Sequence, residues 1–252
     1  MPPTAADLYL DLLKKVLTGT LAGREPDVDD PAYVEGFLAH YIRGHALTMT
    51  PLVRLDNARH CVEQALAHGV PGDLLEAGVW RGGMTIFLRA ILAAHRVTDR
   101  RVWVADSFEG LPAPDAKKFP LEARAHASRT MAEDFQHFAV SEADVRASFA
   151  AFGLLDDQVR FLVGWFKDTL PAAPIDRLAV LRLDGDYYES TMDTLTALYD
   201  KVSPGGFVII DDYGERLWTY CRRAVDDFRR ARSITAELIK VDTKCYFWQK
   251  PA

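Results

Sequence analysis

From residue 73 onward the chain alternates short apolar runs with helical segments, and this alternation limits its fold more than any other feature. The runs are LLEAG (74–78), RVWVAD (101–106), VRFLVG (159–164), LAVLRLD (178–184) and GFVIIDD (206–212). Buried strands separated by helices predict a parallel sheet assembled from βαβ units. The end breaks the rhythm, because AELIKVD (236–242) and KCYFWQK (244–250) lie almost adjacent. That gap is too short for a crossover helix, so these two strands are expected to pair antiparallel. The expectation is an α/β domain over 71–252, with five parallel strands closed by a C-terminal antiparallel hairpin.

The first 70 residues carry no strand signal and read as an N-terminal helical cap. Thr4 followed by Asp7 resembles a helix N-cap with an acid in the first turn. Leu8, Leu12, Leu13, Val16 and Leu17 then recur at helical spacing, predicting an amphipathic helix near 5–18. Gly19, Gly23 and Pro26 open an acidic loop through Asp30, and helical stretches follow near 31–43 and 56–68, with His68-Gly69 as a stop. The segment 107–140 holds three prolines and few strand signals, and is expected to be a lid or substrate insertion.

Composition narrows the class further. A chain of 252 residues buries enough surface to fold without a disulfide or structural metal. Thirty basic residues against 36 acidic ones leave a net charge of −6, which argues against a nucleic-acid protein. Cys61, Cys221 and Cys245 are widely spaced and form no CxxC pair, so reduced thiols in a cytoplasmic protein are expected. Asp7 and Asp11 interrupt the apolar start, unlike a signal peptide, and no apolar run approaches a membrane span.

The first chemical signal is the turn after the first strand, Glu76-Ala77-Gly78-Val79-Trp80-Arg81-Gly82-Gly83, which leads directly into the helix MTIFLRAILAA. Glycines there let the backbone approach a ligand and aim helix N–H groups at it. The segment reads E-x-G-x-x-x-G-G and lacks the G-x-G-x-x-G needed for a pyrophosphate, so a dinucleotide is disfavoured. An adenosine ligand without pyrophosphate fits better, and S-adenosylmethionine is the usual one. Asp106 ends the second strand, 28 residues after Gly78, where an acid can accept ribose hydroxyls. Alone, the turn is a tight βα connection and Asp106 a helix cap; at consecutive strand ends of one sheet they point to a nucleoside.

The second signal is acidic. The fourth strand ends in Asp184-Gly185-Asp186 and the fifth in Asp211-Asp212. Ligands of open parallel sheets sit outside the carboxyl ends of the strands, so four carboxylates converge there. Unpaired, they would drive one another's pKa values upward, and an all-oxygen donor set would select a hard cation such as Mg²⁺. Capping of the helices starting at Ser190 and near Leu217 would explain one acid per strand end, not two.

The strand pattern resembles the Rossmann-like sheet of class I S-adenosylmethionine-dependent methyltransferases. More specifically, the chain resembles the macrocin O-methyltransferase family, which methylates sugar hydroxyls on antibiotics. The matching stretches are LYLDLLKK (8–15), LLEAGVWRGG (74–83), DSFEGLP (106–112), LDGDYYEST (183–191) and SPGGFVIIDDYG (203–214). The N-terminal stretch is similar to enzymes acting on the noviose of aminocoumarins, and relatives acting on macrolide sugars are close as well.

The resemblance implies a homodimer dependent on Mg²⁺ and S-adenosylmethionine, acting on a small glycosylated natural product with no nucleic-acid or membrane partner. It implies Asp184, Asp211 and Asp212 as metal ligands and Asp186 as general base. Glu76, Gly78, Val79, Trp80, Arg81, Gly82 and Gly83 would form the methionine and ribose side, with Asp106 and Ser107 on the ribose. Thr48 and Met49 would close over the cofactor from the cap. Fold analogy places the adenine at Trp165, Phe166 and Lys167. Two other readings stand beside this one: a metal-dependent O-methyltransferase of a phenol or catechol, and a non-catalytic S-adenosylmethionine-binding protein. A nicotinamide oxidoreductase is more remote, since its glycine fingerprint is missing.

Overall fold

Strands β1 (Asp73–Ala77), β2 (Val102–Asp106), β3 (Val159–Val163), β4 (Leu178–Leu183) and β5 (Val202–Ile210) run parallel in a seven-stranded sheet. The sheet order is β3-β2-β1-β4-β5-β7-β6, with β7 (Tyr246–Gln249) antiparallel to both β5 and β6 (Ile239–Lys240). The computed structural model describes residues 2–21, 23–26, 33–128, 136–214 and 219–251. Most of the expected acidic loop through Asp30, the onset of the helix near 31, part of the 107–140 insertion and the helix start near Leu217 lie outside those residues. The five parallel strands and the closing hairpin agree with the sequence reading, although the sixth strand shrinks to two exposed residues.

Alternation along each strand separates two cores. Leu74, Val102, Val104, Val180, Phe207 and Ile209 face one side, and Leu75, Trp103, Ala105, Leu181, Val208 and Ile210 the other. On the first side lies α4 (Gly83–Ala94), in which every residue from Gly83 to Leu92 is buried. A helix buried all round needs cover on both sides. The sheet supplies one, and the cap helices α1 (Ala5–Leu17) and α3 (Leu52–Ala67) supply the other through Leu10, Leu13, Leu17, Leu55 and Cys61. The cap therefore shares the core of the sheet. Between these helices, α2 (Tyr33–Phe37) runs into one π-helical turn, Leu38–Ile42.

Helix α1 begins as its sequence demands, with Thr4 and Asp7 in a reciprocal capping box. Its buried face differs from the expected one. Leu10, Leu13 and Leu17 are buried, whereas Leu8 and Leu12 are 58% and 53% exposed. The helix has apolar residues on two flanks, and only packing against α4 chooses between them. The far side of the sheet is covered by α8 (Tyr188–Leu198) and α9 (Thr219–Ala231); α5 (Pro120–His126), α6 (Glu142–Ala151) and the short α7 (Phe166–Thr169) complete the described helices. No described helix is long and apolar enough to cross a membrane. All three cysteines are buried and unpaired.

Candidate active site

The carboxyl ends of the parallel strands share one edge, and a cleft of about 470 Å³ opens there. That size suits a small-molecule site. Its walls include Met49, Gly78, Val79, Trp80, Asp106, Ser107, Trp165, Phe166, Lys167, Asp184 and Asp186, bringing together residues that sequence reasoning had placed at one site. Thr48, Glu76, Arg81, Gly82 and Gly83 are not among its lining residues.

Gly78 follows β1 at φ +91°, and a methyl group there would overlap the Asp184 carbonyl oxygen. Only glycine lets the two strand ends approach so closely. Asp106 fixes the turn from the neighbouring strand: its carboxylate accepts the N–H of Val79 at 2.7 Å and of Phe108 at 2.8 Å. Burial pushes its pKa up, against those N–H groups that favour the charged form. Arg81 turns away from the cleft and holds the cap, donating to the carbonyls of Ile42 and Ala46 at 2.9 Å and of Tyr41 and Gly44 at 3.2 Å. Gly83 donates to Leu47 O at 2.9 Å. These contacts set Met49 on the wall. Trp80, at φ +48°, donates its indole N–H to His137 O at 2.8 Å, joining the turn to the insertion.

At the next strand ends, oxygens of Asp184, Asp211 and Asp212 lie within 4.8 Å of one another. Two of the four acids, Asp184 and Asp211, are paired with arginines that the sequence argument did not foresee. Buried Arg182 binds Asp211 at 2.5 Å, Asp184 at 2.9 Å, Thr50 Oγ1 at 3.0 Å and also Glu76. Arg54, from α3, binds Asp211 at 2.5 Å and Asp242 at 2.6 Å. Glu76 additionally accepts from Thr85, so its side chain belongs to this ion network and not to the cleft wall.

Two guanidiniums answer only part of the charge on Glu76, Asp184, Asp186, Asp211, Asp212 and Asp242. Burial works against ionisation of Asp211, but Arg182 and Arg54 outweigh it and hold its pKa low. Burial and then Asp211 push Asp184 up to about 6. Among the described residues no lysine or arginine pairs with Asp212. Burial and the facing Asp186, Asp184 and Asp211 drive its pKa well up. Added positive charge would favour the ionised form of such a group. An oxygen-only donor set beside an unanswered buried carboxylate fits a hard divalent cation.

Asp186 stands on the cleft wall next to this cluster. Its backbone is left-handed, with φ +55°, and its N–H donates to Asp212 Oδ2 at 3.3 Å.

The macrocin-O-methyltransferase (TylF) family profile matches residues 40–250. The chain belongs to the macrocin-O-methyltransferase family. It is 50% identical, over 100% of its own length and 96% of the relative's, to the 8-demethyl-8-(2,3-dimethoxy-alpha-L-rhamnosyl)-tetracenomycin-C 4'-O-methyltransferase of Streptomyces olivaceus. It is 48% identical to the demethyldecarbamoylnovobiocin O-methyltransferase of Streptomyces niveus, over 97% of this chain and 94% of that one. The solved structure of the O-methyltransferase NovP superposes with a TM-score of 0.85 at 48% identity, covering 98% of this chain and 100% of that one. The macrocin-family protein is thus an S-adenosylmethionine-dependent O-methyltransferase on a class I sheet, as the sequence motifs implied.

Several cleft residues of this methyltransferase were missed by sequence reasoning. Glu189 and Asp193 line the cleft from the first turns of α8, and Leu111 and Phe138 from the insertion. Arg182 had a readable sign, a charge inside an otherwise apolar strand. Arg54 had none, since its partners lie 157 and 188 residues away.

Proposed function

We propose that this methyltransferase methylates a deoxysugar hydroxyl on a glycosylated antibiotic or its precursor, with Mg²⁺ at Asp184, Asp211 and Asp212 and Asp186 as general base. The observation that carries this reading is the placement of Asp186 on the cleft wall, directly beside the carboxylate cluster. The acceptor class is supported by the tetracenomycin relative, whose name specifies methylation at the 4' oxygen of a rhamnosyl-bearing substrate.

The donor side of the cleft suits S-adenosylmethionine. Backbone at Gly78, Val79 and Trp80 would let the cofactor approach β1, with Met49 on the cap side of the same cleft. Asp106 stands on the cleft wall with the N–H groups of Val79 and Phe108 and the Ser107 hydroxyl directed at it, an acceptor group where ribose hydroxyls would reach. Ser107 lies beside it, and Trp165, Phe166 and Lys167 form the wall assigned to the adenine.

A sugar hydroxyl is a weak nucleophile at neutral pH. A divalent cation bound at the three aspartates supplies Lewis acidity that lowers the pKa of a nearby hydroxyl. Asp186 accepts the hydroxyl proton as the oxygen forms its bond to the methyl carbon and the carbon–sulfur bond breaks. The cleft walls would bring donor and acceptor together, and positioning of this kind contributes about 7–11 kcal/mol in favourable cases. Arg182 and Arg54 keep Asp211 ionised and fixed, so a ligand oxygen is ready without rearrangement.

The test is incubation with S-adenosylmethionine, Mg²⁺ and either the rhamnosyl tetracenomycin named above or a catechol, with the product located by NMR. A new methyl on a sugar oxygen is expected. Methylation of the catechol alone overturns the sugar assignment.

A further inference from the structure

The insertion contains a buried acid whose place is not explained by the cofactor or metal sites. Glu122, in α5, is 1% exposed. Its Oε1 accepts the N–H of Tyr188 at 3.1 Å, while Oε2 is buried without a hydrogen-bond partner among the described residues. Tyr188 is the first residue of α8, two positions after Asp186. The N-cap of that helix, Tyr187, makes no side-chain capping bond. A helix start leaves its first N–H groups unsatisfied and carries partial positive charge. Glu122 supplies from 66 residues away the acceptor that the local sequence lacks.

Its neighbours reinforce the same contact. His126, one turn further along α5, hydrogen-bonds Tyr187 OH at 3.2 Å. Phe119 stacks on Tyr188 with ring centroids 4.9 Å apart, and Lys118 lies 3.5 Å from Glu189. Residues 187, 188 and 189 are therefore each held by the insertion. Immediately before them stands Asp186 in its left-handed conformation, which aspartate adopts more readily than most side chains and which its neighbours here select. On one side the Asp212 carboxylate takes the Asp186 N–H; on the other, the chain runs directly into the start of α8.

We propose that Glu122 is a positioning residue for the methyl transfer: by capping α8 from the insertion, it holds the Asp186 backbone where its carboxylate can take the acceptor proton. This rests on Asp186 being the general base. It also gives the insertion a second task besides lining the cleft, since its docking onto 187–189 completes the catalytic loop.

The experiment compares wild type with Glu122→Ala, Glu122→Gln, Glu122→Asp and Asp186→Asn, using S-adenosylmethionine, Mg²⁺ and the rhamnosyl tetracenomycin acceptor. Glu122→Ala leaves the Tyr188 N–H unsatisfied and is expected to lower kcat about tenfold. Its KM for S-adenosylmethionine stays near the wild-type value. Glu122→Gln keeps an oxygen that can accept the same N–H and is expected to restore most of kcat. Glu122→Asp keeps the charge one methylene short and should follow the alanine variant, which also serves if the alanine variant does not fold.

Amide hydrogen exchange over 186–191 needs no acceptor. It should accelerate in Glu122→Ala and Glu122→Asp, not in Glu122→Gln, with 79–84 unchanged. Wild-type kcat and exchange in the alanine or aspartate variant overturn the proposal, as does a loss spread equally over cofactor KM and exchange throughout the chain. Normal turnover in Asp186→Asn together with faster local exchange in Glu122→Ala removes the base assignment and leaves the structural brace standing.

Discussion

Replacing Arg182 by methionine tests the charge balance of the site. Arg182 is 1% exposed and bonds to Glu76, Asp184, Asp211 and Thr50. Methionine fills much of the volume and removes the charge. Asp211 keeps Arg54 at 2.5 Å, so the carboxylates left without a cation are Glu76, which is 1% exposed, and Asp184. Breaking a buried pair by removing one partner costs about 3–5 kcal/mol. That is a large part of the roughly 5–15 kcal/mol that holds a typical protein folded. At about 2–4 °C per kcal/mol for a chain of this size, melting should fall by roughly 6–20 °C.

The loss must also depend on pH. With Arg182 present, burial already pushes the Glu76 pKa up to about 7, against the opposing pull of Arg182. Without that pull it rises further. A carboxyl whose folded pKa exceeds its unfolded value near 4.5 destabilises the fold as pH climbs from the unfolded towards the folded value. The Arg182→Met deficit in urea unfolding should therefore be larger at pH 8 than at pH 5.5. Adding Glu76→Gln removes the more deeply buried of the two stranded charges and should recover part of the loss. A single variant within about 1 kcal/mol of wild type at pH 8, or a double variant no better than the single, refutes the reasoning.

Asp186→Asn is expected to bind S-adenosylmethionine and Mg²⁺ as wild type does by calorimetry, while turnover falls by about 10²–10⁴-fold, the range of a general base. Glu122→Gln should alter the pH dependence of stability. Burial pushes Glu122 up to about 7, with Glu189 adding to the shift and the Tyr188 N–H opposing it. Wild type should thus lose stability relative to the glutamine variant as pH rises from about 4.5 to about 7, by up to about 3 kcal/mol, and hold steady above. Urea midpoints across that range check it; parallel profiles count against a buried, ionisable Glu122.

Features written in consecutive residues were legible in the sequence. The βαβ rhythm, the Gly78 turn, Asp106 at a strand end and the paired acids at 184–186 and 211–212 all follow from local pattern, and the sheet order brings them to one edge. What pattern could not give was pairing across the chain. Arg54, Glu76, Arg182 and Asp242 meet only because α3 lies over the same sheet face that carries Glu76 and Arg182. For that reason the expectation of unpaired carboxylates failed at Asp184 and Asp211, while Asp212 keeps no arginine or lysine partner among the described residues. The face of α1 was misjudged because Leu8 and Leu12 satisfy helical spacing as well as Leu10, Leu13 and Leu17 do, and burial under α1 is set by α4. Glu122 gave no sign at all, since an acid in a proline-bearing loop looks solvated until the tertiary contact with Tyr188 is known.

The central claim is that the residual acidity at Asp184, Asp211 and Asp212 is there for a divalent cation on which turnover depends. Chelation tests it most directly. Enzyme dialysed against EDTA is assayed with S-adenosylmethionine and the rhamnosyl tetracenomycin acceptor, before and after Mg²⁺ is returned. The account predicts turnover near background in the chelated enzyme and recovery on adding Mg²⁺. Full turnover in the presence of chelator contradicts it.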